Sequence, residues 1–316
     1  MMNTNSFEAT DITLGFIGLG NMGSRIVRRL LYAGYKTFVY SVVPPEAQAL
    51  RKEGAISCAT VAELAKQSHV ILSCVTDDEA VRSVYTGPEG VLRHARPETV
   101  VLEMSTISPE TSREIAGLGM ERGIYVLDVA ISGSTPAVER GEVILFAGGN
   151  PNIYDGVAPV FRAFAKKFFH LGPSGAGTTM KLVVNAILGV EMQAIAEAVA
   201  LGQKAGLNRN VLLEVLSQTA VIAPAHLGKL GKAASDDYSP QFPLRLMNKD
   251  FGLILDMARA KNAHMPATEA AFRISNSALP GDGNEDMSAV MRYMERLNRD
   301  SHLAGGAPMS ADFVTL

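Results

Sequence analysis

Several things are scarce in this 316-residue chain, and each scarcity excludes a class of protein. Cysteine appears twice, at Cys58 and Cys74, too few for a disulfide framework and not at C-x-x-C spacing, which fits a reducing compartment. The net charge is −3 with no basic block or stripe, so the chain carries no electrostatic footprint for nucleic acid. No uncharged apolar run reaches the roughly 18 residues that mark a membrane span. The leader "MMNTNSFEATD" contains neither an apolar stretch nor an arginine and reads as neither a secretory nor a transit signal. The histidines (His69, His94, His170, His226, His264 and His302) show no ligand spacing, so no metal is expected. What these absences leave is a soluble, cytoplasmic protein with neither a nucleic acid nor a membrane as partner.

What is present begins with apolar material. Hydrophobic residues make up 47% of the chain, ample for a core. A prior of about 150 residues per domain suggests about two domains. Short β-rich runs occur at 12–18, 36–40, 69–74, 99–104, 124–130, 143–148 and 167–171, and stretches with helical spacing lie between most of them, at 22–33, 60–67, 78–85, 109–121 and 152–165. Alternating strands and helices predict an α/β fold with a doubly wound, mostly parallel sheet. After residue 173 the strand-like runs stop, and 176–206, 208–219 and 249–262 read as helix.

The first motif is "FIGLGNMGSRI", in which Gly18, Gly20 and Gly23, with Leu19, Asn21 and Met22 between them, form G-x-G-x-x-G between a strand and a helix. In that setting the glycines serve the tight turn, the approach of a pyrophosphate and helix–strand packing, with the phosphates on backbone N–H groups at the helix N-terminus. The end of the second strand should then select the dinucleotide: an acid there accepts from the ribose 2′-OH of NAD, and an Arg accommodates the 2′-phosphate of NADP. This chain has Ser41 followed by Val42 and shows neither signature. Without a carboxylate to repel a phosphate, the balance tips to NADP, with NAD close behind. Ligands of such sheets lie beyond the carboxyl ends of the strands. Those ends carry Cys74-Val75-Thr76, Ser105-Thr106 and "ISG" at 131–133, with Ser132 and Gly133 suited to a polar ligand. Helix capping competes for Ser105, Thr106 and Ser108 ahead of "PETSREI".

The expected organisation is a flexible leader over 1–11, a dinucleotide-binding Rossmann-type domain over 12–173 and an all-helical substrate and dimerisation domain over 174–316. The Gly/Pro/Ser cluster "LGPSGAG" (171–177) marks the joint. Just beyond it, "GAGTTMKLVVNAIL" sets Lys181 and, one helical turn on, Asn185 into apolar surroundings. From 182 to 190 there is no charge at all, which predicts a helix buried all round. Desolvation of Lys181 would lower its pKa, the direction a general acid/base needs near neutral pH. So apolar a helix also predicts a homodimer or homotetramer.

Together these segments resemble the β-hydroxyacid dehydrogenase family over roughly residues 12–300. The matching motifs are "FIGLGNMG", "DVAISGSTPAVERG", "GAGTTMKLVVN" and "FPLRLMNKDFGL", followed by "GDGNEDMSAVMRYME". The resemblance implies a reversible hydride transfer between a nicotinamide and a small 3-hydroxy acid or its semialdehyde. It makes Lys181 the catalytic lysine and Asn185 a residue that places the substrate. Ser132 and Gly133 become the carboxylate loop, Thr106 and Lys249 approach the cofactor, and Val75 and Glu79 border its adenosine side. Val184 stands where the family has the first of two asparagines, Ala130-Ile131 where it has Pro-Val, and Ser134 where the substrate loop has a second glycine. Two other readings share the architecture: imine reduction, where the lysine is usually absent, and a non-enzymatic nucleotide-binding module. Lys181 counts against the first, and keeping Lys181 and Asn185 together counts against the second.

Overall fold

A computed structural model describes Phe7 and residues 12–300, apart from the side chains of Pro44 and Asp300. Phe7 apart, the expected leader lies outside the described residues, as does His302. The chain divides into two compact units, Met1–Val184 and Asn185–Leu316.

In the first unit strands and helices alternate. β1 (Thr13–Ile17), α1 (Gly23–Tyr32), β2 (Lys36–Tyr40), α2 (Pro44–Lys52) and β3 (Ile56–Ser57) come first. Next are α3 (Val61–Gln67), β4 (Val70–Ser73), α4 (Asp78–Thr86), α5 (Val91–His94), β5 (Val100–Glu103) and α6 (Pro109–Met120). Then follow β6 (Tyr125–Ser132), α7 (Thr135–Arg140), β7 (Val143–Gly148), α8 (Pro151–Gly156), α9 (Ala158–Arg162) and β8 (Ala165–His170). The eight strands form one sheet in the order β3-β2-β1-β4-β5-β6-β7-β8. All neighbours are parallel except β6 and β7. This is the doubly wound Rossmann-type sheet expected, with the strand order switching sides between the parallel neighbours β1 and β4.

The central strands β1, β4, β5 and β6 read as near-continuous apolar runs because both faces are covered. Phe16, Leu72 and Leu102 pack on one side with Ile26, Leu30 and Phe161. Ile17, Ile71 and Val101 pack on the other with Leu64, Val81 and Tyr85. Register carries one row across the carboxyl edge: Tyr40, Ile17, Ser73, Glu103, Asp128 and Gly148 lie side by side.

Two expectations need correction. The helix foreseen at 152–165 is broken into α8 and α9 at Val157, and β8 takes its last residue. Pro159 has no N–H to continue the α8 ladder and restarts a helix near its own N-terminus. Second, α10 (Ala176–Lys204) is not buried all round. Leu182 and Ala186 are buried, whereas Val183 is 48% and Ile187 66% exposed, so an open apolar stripe runs beside the buried one. Lys181 is partly exposed. Among the described helices α10 is also the one long and apolar enough to cross a bilayer, but half of its most apolar stretch is buried in the protein, as in a core helix.

The second unit is helical. It takes the remainder of α10, then α11 (Arg209–Ser217), α12 (Pro224–Ala233), α13 (Leu244–Ala260), α14 (Pro266–Asp282), a 3-10 turn (Met287–Ala289) and α15 (Val290–Asp300).

Candidate functional site

The carboxyl edge of the sheet gathers most of the expected residues of the first unit. Gly18, Ser41 and Cys74 each directly follow a member of the register row, and Ser105-Thr106 begins two residues after Glu103. The ladder extends into the loops: Gly18 N–H donates to Tyr40 O at 3.1 Å and Cys74 N–H to Ile17 O at 2.9 Å.

Each glycine of the loop has a distinct constraint. Gly18 has φ +92°, and a Cβ there would lie 2.3 Å from Cys74 O. A Cβ on Gly23 would lie 2.0 Å from Gly18 O, so this glycine lets α1 close onto the strand. At Gly20 a Cβ would meet nothing within 4 Å, which leaves the exposed middle of the loop open. Leu19 is buried in the core, and Asn21 and Met22 lead into α1. A turn that is tight at both ends and open in the middle fits a dinucleotide pyrophosphate over the N-terminus of α1.

Beside it, the loop after β4 is held by a buried chain of polar groups. Val75 N–H donates to Ser105 Oγ at 2.8 Å, and Ser105 N–H donates to Glu103 Oε1 at 2.7 Å. Ser73 Oγ donates to the other Glu103 oxygen and lies 2.5 Å from the Tyr85 hydroxyl on α4. Burial pushes the Glu103 carboxyl above its usual range, outweighing the hydrogen bonds it accepts from Ser105 and Ser73. Burial likewise raises the Tyr85 phenol, with Glu103 adding to the effect. The hydroxyls thereby sort themselves: Ser108 caps α6, accepting from Thr111 N–H, while Ser105 braces Val75. Thr106 is left partly exposed next to that brace, Cys74 packs partly into the core, and Glu79 is exposed in the first turn of α4.

The start of α10 is fixed to the same edge. Asp128, buried on β6, accepts from Gly175 N–H at 2.8 Å through one oxygen and from Thr178 N–H at 2.9 Å through the other. The Thr178 hydroxyl adds a contact of 3.3 Å. These are orphan donors of a helix N-terminus, and a carboxylate there also opposes the helix dipole. Lys181 follows Thr178 by one turn. Ser132 ends β6, and Gly133, at φ +149°, turns the chain so closely that a Cβ would lie 2.8 Å from Val143 Cγ1.

Two expected residues fall in the second unit. Asn185 is 1% exposed and donates through Nδ2 to Asp250 Oδ2 at 2.6 Å. That bond orients the amide and leaves Asn185 Oδ1 a buried acceptor with no hydrogen-bond partner. Lys249 Nζ lies 3.0 Å from Asp250 Oδ1, so Asp250 joins Asn185 to Lys249. In the segment 217–239 of this unit, Lys229 on α12 forms a buried pair with Asp286 at 2.7 Å, and fully buried His226 lies 3.5 Å from Glu191. Among the described residues no group of three His, Cys, Asp or Glu comes together to hold a metal ion.

Sequence reasoning missed Asp128, Glu103 and Asp250. Each had a signal, a carboxylate inside an apolar run ("VLDVA", "VVLEMS") or directly beside a singled-out lysine ("NKDFG"). Buried acids of this kind need partners, and these have them.

Comparison with known proteins agrees with this arrangement. Residues 13–172 match the NAD binding domain of 6-phosphogluconate dehydrogenase, and 175–294 match the NAD-binding family of NADP-dependent 3-hydroxyisobutyrate dehydrogenase. The chain is 32% identical to 2-(hydroxymethyl)glutarate dehydrogenase of Eubacterium barkeri over 93% of its own length and 98% of the relative's. It is 33% identical to NAD-dependent L-serine dehydrogenase of Pseudomonas aeruginosa, over 89% of this chain and 97% of that one. The crystal structure of 3-hydroxyisobutyrate dehydrogenase from Salmonella typhimurium superposes with a TM-score of 0.83 at 30% identity, covering 89% of this chain and 99% of that one. A glycine loop open to a pyrophosphate, a lysine-bearing helix tied to the strand ends and relatives that match nearly end to end lead to one conclusion: this chain belongs to the β-hydroxyacid dehydrogenase family and is an NAD(P)-dependent oxidoreductase.

Proposed function

We propose that the protein interconverts a small 3-hydroxy acid and its semialdehyde, with Lys181 as general acid/base. The observation that supports this most is the Asp128 clamp, which fixes the start of α10 at the carboxyl edge and sets Lys181 one turn beyond it. When bound, the nicotinamide supplies or accepts the hydride. Lys181 Nζ takes the alcohol proton during oxidation and returns it to the carbonyl oxygen during reduction. Ser132, through its hydroxyl, and Gly133, through its backbone N–H, hold the substrate carboxylate. Asn185 presents Oδ1, the oxygen left over once Asp250 has taken its amide nitrogen, as an acceptor for an O–H or N–H of the reacting group. Gly18, Gly20 and Gly23 seat the pyrophosphate, Val75, Glu79 and Ser41 border the adenosine side, and Thr106 and Lys249 approach the cofactor.

Relatives named for 2-(hydroxymethyl)glutarate, L-serine and 3-hydroxyisobutyrate support a substrate carrying a hydroxymethyl group and a carboxylate. The same reading makes the protein a cytoplasmic homodimer or homotetramer, with a second copy covering the open stripe of Val183 and Ile187 on α10. Oxidation assays with 3-hydroxyisobutyrate, L-serine, 2-(hydroxymethyl)glutarate and tartronate semialdehyde (in the reverse direction), beside a panel of cyclic imines, test the reaction. Turnover of at least one of these acids is expected, and turnover confined to the imines overturns the proposal. Light scattering that finds only monomer defeats the assembly.

A further inference from the structure

We propose that Glu46, reaching back from α2, is the carboxylate that makes this site prefer NAD(H) to NADP(H). The inference rests on the dinucleotide-binding role of the glycine loop and reverses the preference that the strand end alone suggests. Ser41 occupies the position where an acid would select NAD, and it is not alone there. Its Oγ donates to Glu46 Oε2 at 3.2 Å and accepts from Val43 N–H at 3.1 Å. The sequence thus keeps a carboxylate at the second strand's end, displaced by five residues and returned by the fold. Pro45, whose ring fixes φ in the first turn of α2, makes the return a rigid one.

Among the described residues around the end of β2, a 2′-phosphate meets no compensating cation. Residues 41–46, "SVVPPE", contain neither Arg nor Lys, and the residue after Ser41, a natural place for a phosphate-binding Arg, is Val42, 83% exposed. Lys36 begins β2 and lies at the opposite end of the strand from Ser41, about 16 Å away at the usual rise. Arg51 and Lys52 sit in the last turn of α2, away from its start. On α1, Arg25 is paired with Glu139 at 2.6 Å and Arg28 with Glu53 at 2.8 Å. A ribose 2′-OH donates to a carboxylate, whereas a dianionic phosphate within a few ångströms of one is repelled.

Isothermal titration of the full chain with NAD⁺, NADP⁺, 5′-AMP and 2′,5′-ADP reads this directly, without turnover. NAD⁺ is expected to bind about tenfold or more tightly than NADP⁺, with the gap narrowing in high salt as the repulsion is screened. In Glu46→Gln, NADP⁺ and 2′,5′-ADP bind more tightly than to the wild type, and the NAD⁺/NADP⁺ ratio falls by about fivefold or more. Wild-type protein that binds NADP⁺ as well as NAD⁺, or an unchanged ratio in Glu46→Gln with a wild-type melting temperature, overturns the role of Glu46 alone. Failure to bind either dinucleotide overturns the nucleotide site itself, and the inference with it.

Discussion

Replacing Asp128 with Asn tests how the start of α10 is held. The change keeps the volume of the side chain and removes one acceptor and the charge. Asp128 Oδ1 accepts from Gly175 N–H and Oδ2 from Thr178 N–H, at 2.8 and 2.9 Å. An amide offers one oxygen, so in either orientation its NH₂ faces a backbone N–H that is buried and left unpaired. Losing one charge-assisted hydrogen bond, worth about 1.5–3 kcal/mol, and stranding a buried donor together cost about 2–4 kcal/mol. Against a typical stability of about 5–15 kcal/mol this is a large loss. At about 2–4 °C per kcal/mol for a unit of this size, the melting transition of residues 1–184 falls by about 5–15 °C. Differential scanning calorimetry reads the shift and shows whether the two compact units melt separately. A melting temperature within about 1 °C of the wild type would refute the clamp, because no arrangement of an asparagine satisfies both donors.

Other consequences follow from the same contacts. Gly20→Ala should melt like the wild type yet weaken dinucleotide binding, since a Cβ there meets only open space, whereas Gly23→Ala should lose stability by overlap with Gly18 O; calorimetry and cofactor titration on both variants separate the two effects. The helical unit should be acid-labile: burial pushes the Asp286 carboxyl up, but the Lys229 ammonium and the hydrogen bonds it accepts from Lys229, Phe242 and Ser288 hold it below its usual value. A depressed carboxyl contributes stability above pH about 3.8 that is lost as pH falls through its folded value, and fully buried His226, pushed down by burial and by Lys229 against the opposing pull of Glu191 and Asp286, adds a loss of the same sign below pH about 6.5. Asp286→Asn leaves Lys229 buried without its counter-ion and should cost about 3–5 kcal/mol at neutral pH while flattening the acid end of the pH–stability curve. An unchanged curve would contradict the pairing.

Most of the sheet was legible in the sequence because its central strands are buried on both faces and separated by helices, so they announced themselves as short apolar runs; β3, two exposed residues long, gave no such signal and was missed. The glycine loop was legible because turn, strand and helix are contiguous in the chain. What stayed hidden depended on residues brought together from afar. Asp128 meets Thr178 across a separation of fifty residues, and Asn185 meets Asp250 across sixty-five. Glu46 was nearer, but its partnership with Ser41 depends on how Pro45 turns the chain, and the strand end read by itself had no carboxylate. The exposure of Val183 and Ile187 was invisible for another reason: apolar composition shows that a face needs covering, not what covers it.

The proposed chemistry turns on one amine. In Lys181→Ala, full-chain protein should bind dinucleotide with wild-type affinity and melt within a few degrees of the wild type, while single-turnover hydride transfer to the best acid substrate falls by about 10²–10⁴-fold. Lys181→Ala that transfers hydride at the wild-type rate, with cofactor and substrate bound, would contradict the account.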